Sequence, residues 1–404
     1  MNDNIFYEYL NKDSVFVDKN KISPHYIPEQ LPFREKEIKD LSLWISPALK
    51  KEKAHNVFIY GKVGTGKTSV VKHVTDQLTD IAKEKKLSLK TIYINCRNYQ
   101  TKYAILFYCV QLFYVDKNFI GYSRSFIYDK FITFIRDNQL NLILVLDEID
   151  KIKDKEIDDL IYTLSRSNDE LDTGKVSLIG ISNNLFFKSK LDPRTKSSLC
   201  EQEAVYAPYN ASELKGILKN RAEIAFKKGV VDDSAINAAA AVAAKESGDA
   251  RTAVMLLLRA GELTDFAKKT KVTDKEVYDA KEKVEQEIMK SMVLTLPVQL
   301  QLVLLAIAQN TIENTKGILK INGSFEQNVM YSGEVYDIYQ QLVVKYDEKP
   351  VSMRWFREYI TELEIYGFIS TTQSGKGIRG NTTLIKLGVD SKLISSMIIK
   401  EFEN

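Results

Sequence analysis

The sequence predicts an α/β domain built on a parallel sheet, then a small helical domain, then a C-terminal domain of helices with one β-hairpin. Three observations support this prediction. Strand-like and helical stretches alternate from residue 56 to about 199, an Ala-rich helical pattern follows up to residue 290, and helices then precede two short β-branched runs. We therefore expect domains at residues 1–205, 206–290 and 291–404.

Four apolar runs in the first domain predict strands, at residues 57–60, 91–95, 142–146 and 176–181. Strands and helices that alternate at this spacing are typical of a parallel sheet with helices on both faces. Upstream of the sheet, Pro24, Pro28 and Pro32 interrupt any helix, so residues 1–35 are expected to be irregular. Residues 34–52 then predict one helix that leads into the first strand.

The C-terminal part has a different pattern. Helical periodicity covers residues 297–309, 331–346 and 352–366. Two β-branched runs follow, at 368–372 and 382–387, and the Gly-rich segment SGKGIRGN between them predicts a hairpin. Helices followed by a hairpin indicate a winged helix.

The composition is that of an ordinary soluble protein, with 44% hydrophobic and 27% charged residues. The longest apolar runs have the length of core strands, and no secretory signal is evident, so we expect a cytoplasmic protein without a membrane partner. Cys96, Cys109 and Cys200 are too widely spaced for a zinc site or a disulfide framework. Because the net charge is only +3, any binding to nucleic acid must come from local patches.

The segment GKVGTGKT at residues 61–68 matches the phosphate-binding pattern G-x-x-x-x-G-K-[ST]. A predicted strand precedes it and a helix-compatible run follows, as the pattern requires. The glycines let backbone N–H groups point at phosphate oxygens, and the helix start adds a positive dipole. We expect ATP or ADP with Mg²⁺ here, Lys67 reaching the β- and γ-phosphates and the Thr68 hydroxyl binding the metal. The residues expected to hold the nucleotide are Val63, Gly64, Thr65, Gly66, Lys67, Thr68 and Ser69.

Two carboxylates follow the apolar run at 142–146 directly, Asp147 and Glu148. A parallel strand delivers such residues to its carboxyl end, where open α/β sheets bind their ligands. Asp147 is expected to hold Mg²⁺, and Glu148 to act as the general base on the attacking water. Asn183 follows the next strand and could orient that water, although SNN at 182–184 taken alone reads as a turn.

These pieces together resemble an AAA+ ATPase, and more narrowly the archaeal origin-recognition and replication-initiator family. The resemblance covers nearly the whole chain and implies an α/β AAA+ P-loop core, a helical lid domain and a winged-helix domain. Outside the motifs above, it is carried by residues 26–35, 191–199, 208–221 and 248–251. It implies further nucleotide contacts from Ile27, Pro28, Arg34, Tyr209, Arg221 and Arg251.

The resemblance also implies catalytic roles beyond the two carboxylates. Asn183 matches the first sensor of the family, Arg251 the second sensor and Arg194 the arginine finger. Cations are needed for the charge that develops on a γ-phosphate, although an arginine taken alone is more often a surface or ion-pairing residue. Since an arginine finger acts on the ATP of a neighbouring subunit, Arg194 is expected to matter only where a partner docks.

DNA binding is implied for the C-terminal domain, where residues 351–369 resemble a recognition helix and the first wing strand. Phe356, Ile360 and Leu363 share one helical face and are expected in the core. The cations expected to contact DNA are Arg354, Arg357, Lys376 and Arg379. The first two lie near the helix start, which faces the major groove, and the last two lie in the Gly-rich turn, which suits phosphate or minor-groove contacts.

The family also has a DNA-gripping helical insertion at about residues 117–130. The residues expected to contact DNA there are Lys117, Tyr122, Ser123, Arg124 and Lys130. Aromatic and basic residues mixed in one exposed loop suit backbone and groove contacts. Packing of Phe119 and Tyr122 inside a helical hairpin is equally consistent with this sequence.

The leading interpretation is a replication initiator and weak ATPase that binds double-stranded origin DNA, with ATP as a slowly hydrolysed switch. It would be nucleoid-associated, act with other initiator subunits and help to recruit or load the replicative helicase. Two alternatives stay open: an AAA+ loader or remodelling protein, and a signalling ATPase that uses its winged helix for protein contacts. Residues 351–404 hold seven Lys or Arg and six Asp or Glu, a nearly balanced charge that does not decide between DNA and protein.

Overall fold

The structure is a computed structural model that describes residues 14–199, 201–313, 318–319, 325–326, 329–373 and 383–403. The chain divides into two compact units, Met1–Ala280 and Lys281–Asn404. Among the described residues, no helix combines the length and the apolar character that crossing a membrane requires. The three domain boundaries expected from the sequence stay predictions.

The first unit is built on a five-stranded parallel sheet with the strand order β2-β3-β4-β1-β5. Its strands are β1 Asn56–Gly61, β2 Leu89–Asn95, β3 Asn141–Asp147, β4 Lys175–Ser182 and β5 Glu201–Tyr206. All four predicted strands are confirmed, each slightly longer than expected. The sequence analysis missed β5, because this edge strand carries Glu201, Gln202 and Glu203 and lacks an apolar run.

Helices cover both faces of this sheet. They are α1 Glu35–Ile45, α2 Lys67–Glu84, α3 Lys102–Phe113, α4 Arg124–Asp137, α5 Asp154–Arg166 and α6 Pro193–Leu199. Alternate residues of β3 point to opposite faces. Leu144 packs with the cluster that contains α3, α4 and α5, whereas Ile143 packs with α1 and α2. Because β3 is buried on both faces, its carboxyl end is held firmly at the edge of the sheet.

The helix predicted over residues 34–52 is wrong at its C-terminal end. The α-helix α1 ends at Ile45, and a short 3₁₀ helix continues over Ser46–Lys50. Pro47 lacks the N–H group that a further α-turn would need, and Lys51 adopts a left-handed conformation with φ 62°. The chain turns there toward β1.

Small residues dominate the helical part that follows the sheet. Its helices are α7 Ala211–Ala225, α8 Asp233–Glu246, α9 Ala250–Phe266 and α10 Asp274–Thr295. Ala239, Ala243 and Ala260 are fully buried, so the helices approach closely. Residues 14–23 also belong to this core, because Phe16 pairs with Phe226 and the ring centroids lie 4.5 Å apart. Part of the expected irregular N-terminal segment, residues 14–23, is therefore packed against these helices.

The second unit contains the predicted winged helix. Its elements are α11 Val298–Glu313, β6 Ile318–Leu319, β7 Phe325–Glu326, β8 Val329–Tyr331, α12 Ser332–Lys345, α13 Met353–Ile365, β9 Ile369–Gln373, β10 Thr383–Leu387 and α14 Ser391–Phe402. The predicted hairpin is confirmed as β9 and β10, and β8 joins it in an antiparallel sheet ordered β8-β10-β9. Phe356, Ile360 and Leu363 of α13 are buried, as predicted.

Candidate functional sites

The loop between β1 and α2 has the backbone conformation that its glycines were expected to supply. Gly64 and Gly66 have φ values of 73° and 86°, which L side chains rarely adopt. Gly66 is the N-cap of α2, so the free N–H groups of the first helical turn open toward the loop. The arrangement favours an anion at this helix start.

Lys67 lies buried beside this loop, with only 5% of its surface exposed. Its ammonium group donates to the carbonyl oxygens of Gly61 at 2.8 Å and Lys62 at 2.7 Å, and to Oδ1 of Asn183 at 2.9 Å. Burial lowers the pKa of Lys67 to about 8, and the charge of Asp147 opposes this shift. The structure thus brings Lys67 and Asn183 together.

A hydroxyl and a carboxylate lie where the metal is expected. The Thr68 hydroxyl donates to Oδ2 of Asp147 at 2.9 Å, and the Tyr93 hydroxyl donates to the same oxygen. Burial, followed by the hydrogen bond to Asp147, raises the pKa of Tyr93, so its phenol stays a donor. These oxygen groups fit Mg²⁺, which uses one or two carboxylates together with waters and substrate phosphates. The described residues contain no cluster of three or more His, Cys, Asp or Glu that would suit another metal.

Glu148 follows Asp147 with a left-handed backbone, at φ 54°. Its carboxylate is held by Arg97, whose Nε donates to it. The sequence analysis did not name Arg97. Its position follows from the sheet register, because Asn95 at the end of β2 pairs with Asp147 at the end of β3. Residues that follow these two strands therefore meet at one edge.

All predicted nucleotide-contact residues line one cleft of about 410 Å³ in the first unit. They are Ile27, Pro28, Arg34, Val63, Gly64, Thr65, Gly66, Lys67, Thr68, Ser69, Tyr209, Arg221 and Arg251, and the cleft also contains Asp147, Glu148 and Asn183. Lining residues that the sequence analysis missed include His25, Tyr26, Lys72, Tyr93, Arg97 and Val254. Their contact with a nucleotide stays a prediction.

Arg34 connects three parts of this cleft. Its guanidinium is buried and donates to the carbonyl oxygens of Thr65 at 3.0 Å and Ala207 at 2.7 Å. It also pairs with Glu37 at 2.9 Å and lies 4.1 Å from the ring centroid of Tyr209. Arg34 therefore links the phosphate-binding loop to the segment that leads into α7.

Arg221 also makes contacts that the sequence could not indicate. It donates to the carbonyl oxygens of Lys21 at 3.0 Å and Tyr26 at 2.7 Å, and its guanidinium lies 4.9 Å from the Tyr26 ring centroid. Its Nε is buried and has no hydrogen-bond partner among the described residues. Arg221 thus holds the N-terminal segment at the mouth of the cleft.

The two predicted catalytic arginines, Arg194 and Arg251, differ in position. Arg251 is exposed in the first turn of α9 and lines the cleft. Arg194 is exposed on α6, and it is absent from the residues that line the cleft within the described part of the chain. The predicted role of Arg194 toward a neighbouring subunit stays a prediction.

The loop and the helical part touch directly at Gly64. The N–H of Ala250 donates to the carbonyl oxygen of Gly64 at 3.2 Å. The Asp249 carboxylate caps α9 by accepting from the N–H of Arg251 at 2.7 Å, and a Cβ on Gly64 would lie 1.4 Å from its Oδ1. Only glycine leaves room for this contact.

The second candidate site is the exposed face of α13. Arg354 and Arg357 are exposed, opposite the buried Phe356. Trp355, the next residue after Arg354, is 59% exposed, and the sequence analysis did not single it out. Lys376 and Arg379, also predicted to contact DNA, lie outside the described residues.

The predicted insertion at α4 combines packing with exposure. Phe119 is 5% exposed, and the Tyr122 ring stacks on Phe126 with centroids 4.4 Å apart, so the packing interpretation holds for both side chains. The Ser123 hydroxyl caps α4 by accepting from the N–H of Phe126 at 3.3 Å. Tyr122 is nevertheless 47% exposed. The predicted cations Lys117 and Arg124 are exposed and Lys130 is half-buried.

We predict that Gly64→Ala lowers ATP affinity about tenfold, because Asp249 would have to turn away and give up its cap on α9. The matched control is Gly229→Ala, where φ is also positive, at 77°, but no atom lies within 4 Å of the added Cβ. Equilibrium binding of a fluorescent ATP analogue should change by less than about twofold for the control. Both variants strain the backbone, but only Gly64→Ala also places a Cβ against Asp249. Equal losses in both variants would contradict the role given to the Gly64–Asp249 contact.

Comparison with known protein families matches three successive parts of this chain. Residues 50–186 match an AAA domain, residues 215–282 match the Cdc6 AAA+ ATPase-type lid domain, and residues 292–397 match the C-terminal winged helix domain of CDC6. The order is the one expected from the sequence.

Relatives match over almost the whole length. An ORC1-type DNA replication protein of Thermococcus kodakarensis is 40% identical over 397 residues, covering 97% of this chain and 93% of that protein. Its counterpart from Pyrococcus furiosus is 39% identical over 400 residues, covering 98% of this chain and 92% of that protein.

Among solved structures, the Aeropyrum pernix ORC1 protein in complex with DNA has a TM-score of 0.71 and 34% identity, covering 96% of this chain and 98% of that one. Cdc6p from Pyrobaculum aerophilum, at 22% identity and a TM-score of 0.61 over 96% of this chain and 100% of that one, shares the fold. With its AAA+ core, Cdc6-type lid and winged helix, this chain belongs to the family of ORC1-type DNA replication proteins.

Proposed function

We propose that this protein binds double-stranded origin DNA through α13 and the α4 region, and holds ATP or ADP with Mg²⁺ in its cleft as a slow switch. The observation that carries the DNA part is the exposed α13 face, with Arg354, Trp355 and Arg357, in a chain 34% identical to an ORC1 protein solved with DNA. Guanidinium groups suit phosphate and guanine contacts. The exposed indole of Trp355 offers an apolar surface for groove contact.

The nucleotide part is supported by the cleft chemistry. The N–H groups of the loop and Lys67 would bind the phosphates, and Thr68 and Asp147 would hold Mg²⁺, which neutralises phosphate charge. Glu148 would accept a proton from the attacking water, and Asn183 would orient that water. Arg251 faces the same cleft and would stabilise negative charge on the γ-phosphate.

Two features support slow hydrolysis. The Arg97 guanidinium is paired with the Glu148 carboxylate, so this ion pair must open before Glu148 can act on an attacking water. Arg194 lies outside the cleft, so one chain alone does not supply every predicted catalytic cation. Both features favour a nucleotide that persists until another molecule changes the site.

The same contacts suit a switch. Arg34 and the Ala250–Gly64 hydrogen bond join the phosphate-binding loop to the lid helices. A movement of the loop would therefore displace the start of α9. From family membership we further propose that the protein acts with other initiator subunits and helps to recruit or load the replicative helicase. Binding to the origin would place it on the nucleoid.

We predict that the double substitution Arg354→Ala, Arg357→Ala weakens binding to an origin duplex by about tenfold or more and flattens its salt dependence, because up to two phosphate or base contacts are lost. Fluorescence anisotropy at several salt concentrations measures both quantities. The matched control is Lys392→Ala, an exposed cation on α14 of the same unit, which should change affinity less than about twofold.

DNase footprinting of the unmodified protein on the same duplex gives the broader test. An absence of protection at micromolar protein and moderate salt would refute origin binding. ATP-driven oligomerisation without any DNA affinity would instead support the signalling alternative.

Lys67→Ala should abolish ATP binding, because its ammonium is the buried cation of the loop. DNA binding should be partly retained, since α13 is untouched. Lys83→Ala, at an exposed position of the same helix α2, is the matched control and should bind ATP normally. Filter binding with labelled ATP measures this, and unchanged affinity in Lys67→Ala would refute the site.

Arg97→Ala should raise the ATP hydrolysis rate by about two- to fivefold, a modest change because the ion pair removed is exposed. Glu148→Gln should abolish hydrolysis while ATP still binds. Arg166→Ala removes a comparable exposed ion pair, with Asp169, outside the cleft and is the control. Phosphate release under single-turnover conditions measures the rates, and a rate that falls in Arg97→Ala would contradict the restraining role.

A further inference from the structure

Tyr93 lies on β2 beside the carboxylate expected to bind the metal. Tyr93 pairs with Val145 in the sheet, so Asp147, two residues further along β3, points to the same face as the tyrosine ring. A diagonal neighbour of this kind is within reach of a long aromatic side chain. The phenol spans this distance and donates to Oδ2 of Asp147.

The Asp147 carboxylate is bound on both oxygens. Oδ2 accepts from the hydroxyls of Tyr93 and Thr68, and Oδ1 accepts from the N–H of Glu148 at 2.9 Å. Asp147 is 6% exposed, so its charge has little water to stabilise it. Removing one donor would leave the carboxylate freer to rotate and its charge less well satisfied.

The Tyr93 ring is itself held in place. The ammonium of Lys72 lies 4.5 Å from the ring centroid, within the range of a cation–π contact. Lys72 and Tyr93 both line the cleft, so the two side chains form one wall beside Asp147.

We propose that Tyr93 is a positioning residue for the magnesium ligand Asp147 and thereby sets how strongly Mg²⁺ strengthens nucleotide binding. The inference rests on the Mg²⁺–ATP site of the proposed function. Groups that orient a metal ligand typically contribute 10–100-fold to metal affinity. Tyr93 would act through Asp147 without touching the metal.

The chain offers a matched control on the same sheet. Tyr60 of β1 is 4% exposed, and its hydroxyl is buried with no hydrogen-bond partner among the described residues. Tyr60→Phe and Tyr93→Phe therefore delete the same atom from a tyrosine of the sheet. Only Tyr93→Phe deletes a hydrogen bond to Asp147.

The experiment measures the affinity of the full-length protein for a fluorescent ATP analogue across a Mg²⁺ titration and in EDTA. Tyr93→Phe should raise the Mg²⁺ concentration at half-effect about tenfold and leave the affinity in EDTA unchanged within about twofold. Tyr60→Phe should change neither quantity. Because the EDTA affinity reports an intact cleft, it also shows that the variant has folded.

Asp147→Asn separates the two ways in which the account could fail. If Asp147→Asn leaves the Mg²⁺ dependence intact, the proposed metal site is wrong. If Asp147→Asn removes the dependence but Tyr93→Phe behaves like Tyr60→Phe, only the role of Tyr93 is overturned. A loss of affinity in Tyr93→Phe that is equal with and without Mg²⁺ would show a merely structural role and would also overturn it.

Discussion

The structure of the first unit depends on a buried ammonium group at the edge of a parallel sheet. Lys67 donates to two carbonyl oxygens of its own loop and to Asn183 at the end of β4, so it ties the loop to the sheet. Parallel strands end at one edge, and Asp147 reaches the same place from β3. A buried cation without a full counter-charge favours an anion, which is the physical basis for a phosphate at this position.

Hydrogen bonds connect the phosphate-binding loop to the lid helices. Arg34 binds the carbonyl oxygen of Thr65 and that of Ala207, and the N–H of Ala250 binds the carbonyl oxygen of Gly64. The cleft is lined by residues of both parts, so a ligand bound there would lie against both. Ligands shift a conformational equilibrium only through differential contacts with its two states, which is why we propose a switch.

Local signals predicted the phosphate-binding loop and the two acids of the cleft, whereas the family resemblance alone implied Ile27, Pro28, Arg34, Tyr209, Arg221 and Arg251. A glycine pattern after a strand identifies the loop, and two acids after an apolar run identify Asp147 and Glu148. Tyr93 and Arg97 were missed because their roles depend on β2 lying beside β3, and no local pattern shows which strands are neighbours. The Arg221 contacts, made to carbonyl groups about 200 positions away in the chain, were hidden for the same reason.

The fold was predictable where apolar periodicity was strong and not where charge obscured it, as in β5.

For the function, the central claim is that the bound nucleotide acts as a switch on a DNA-binding protein. The most direct test is the affinity for an origin duplex measured with Mg²⁺–ATP and with Mg²⁺–ADP under the same salt. The account predicts affinities that differ by about fivefold or more, the usual range of coupling between two sites. Equal affinities in the two nucleotide states would contradict it.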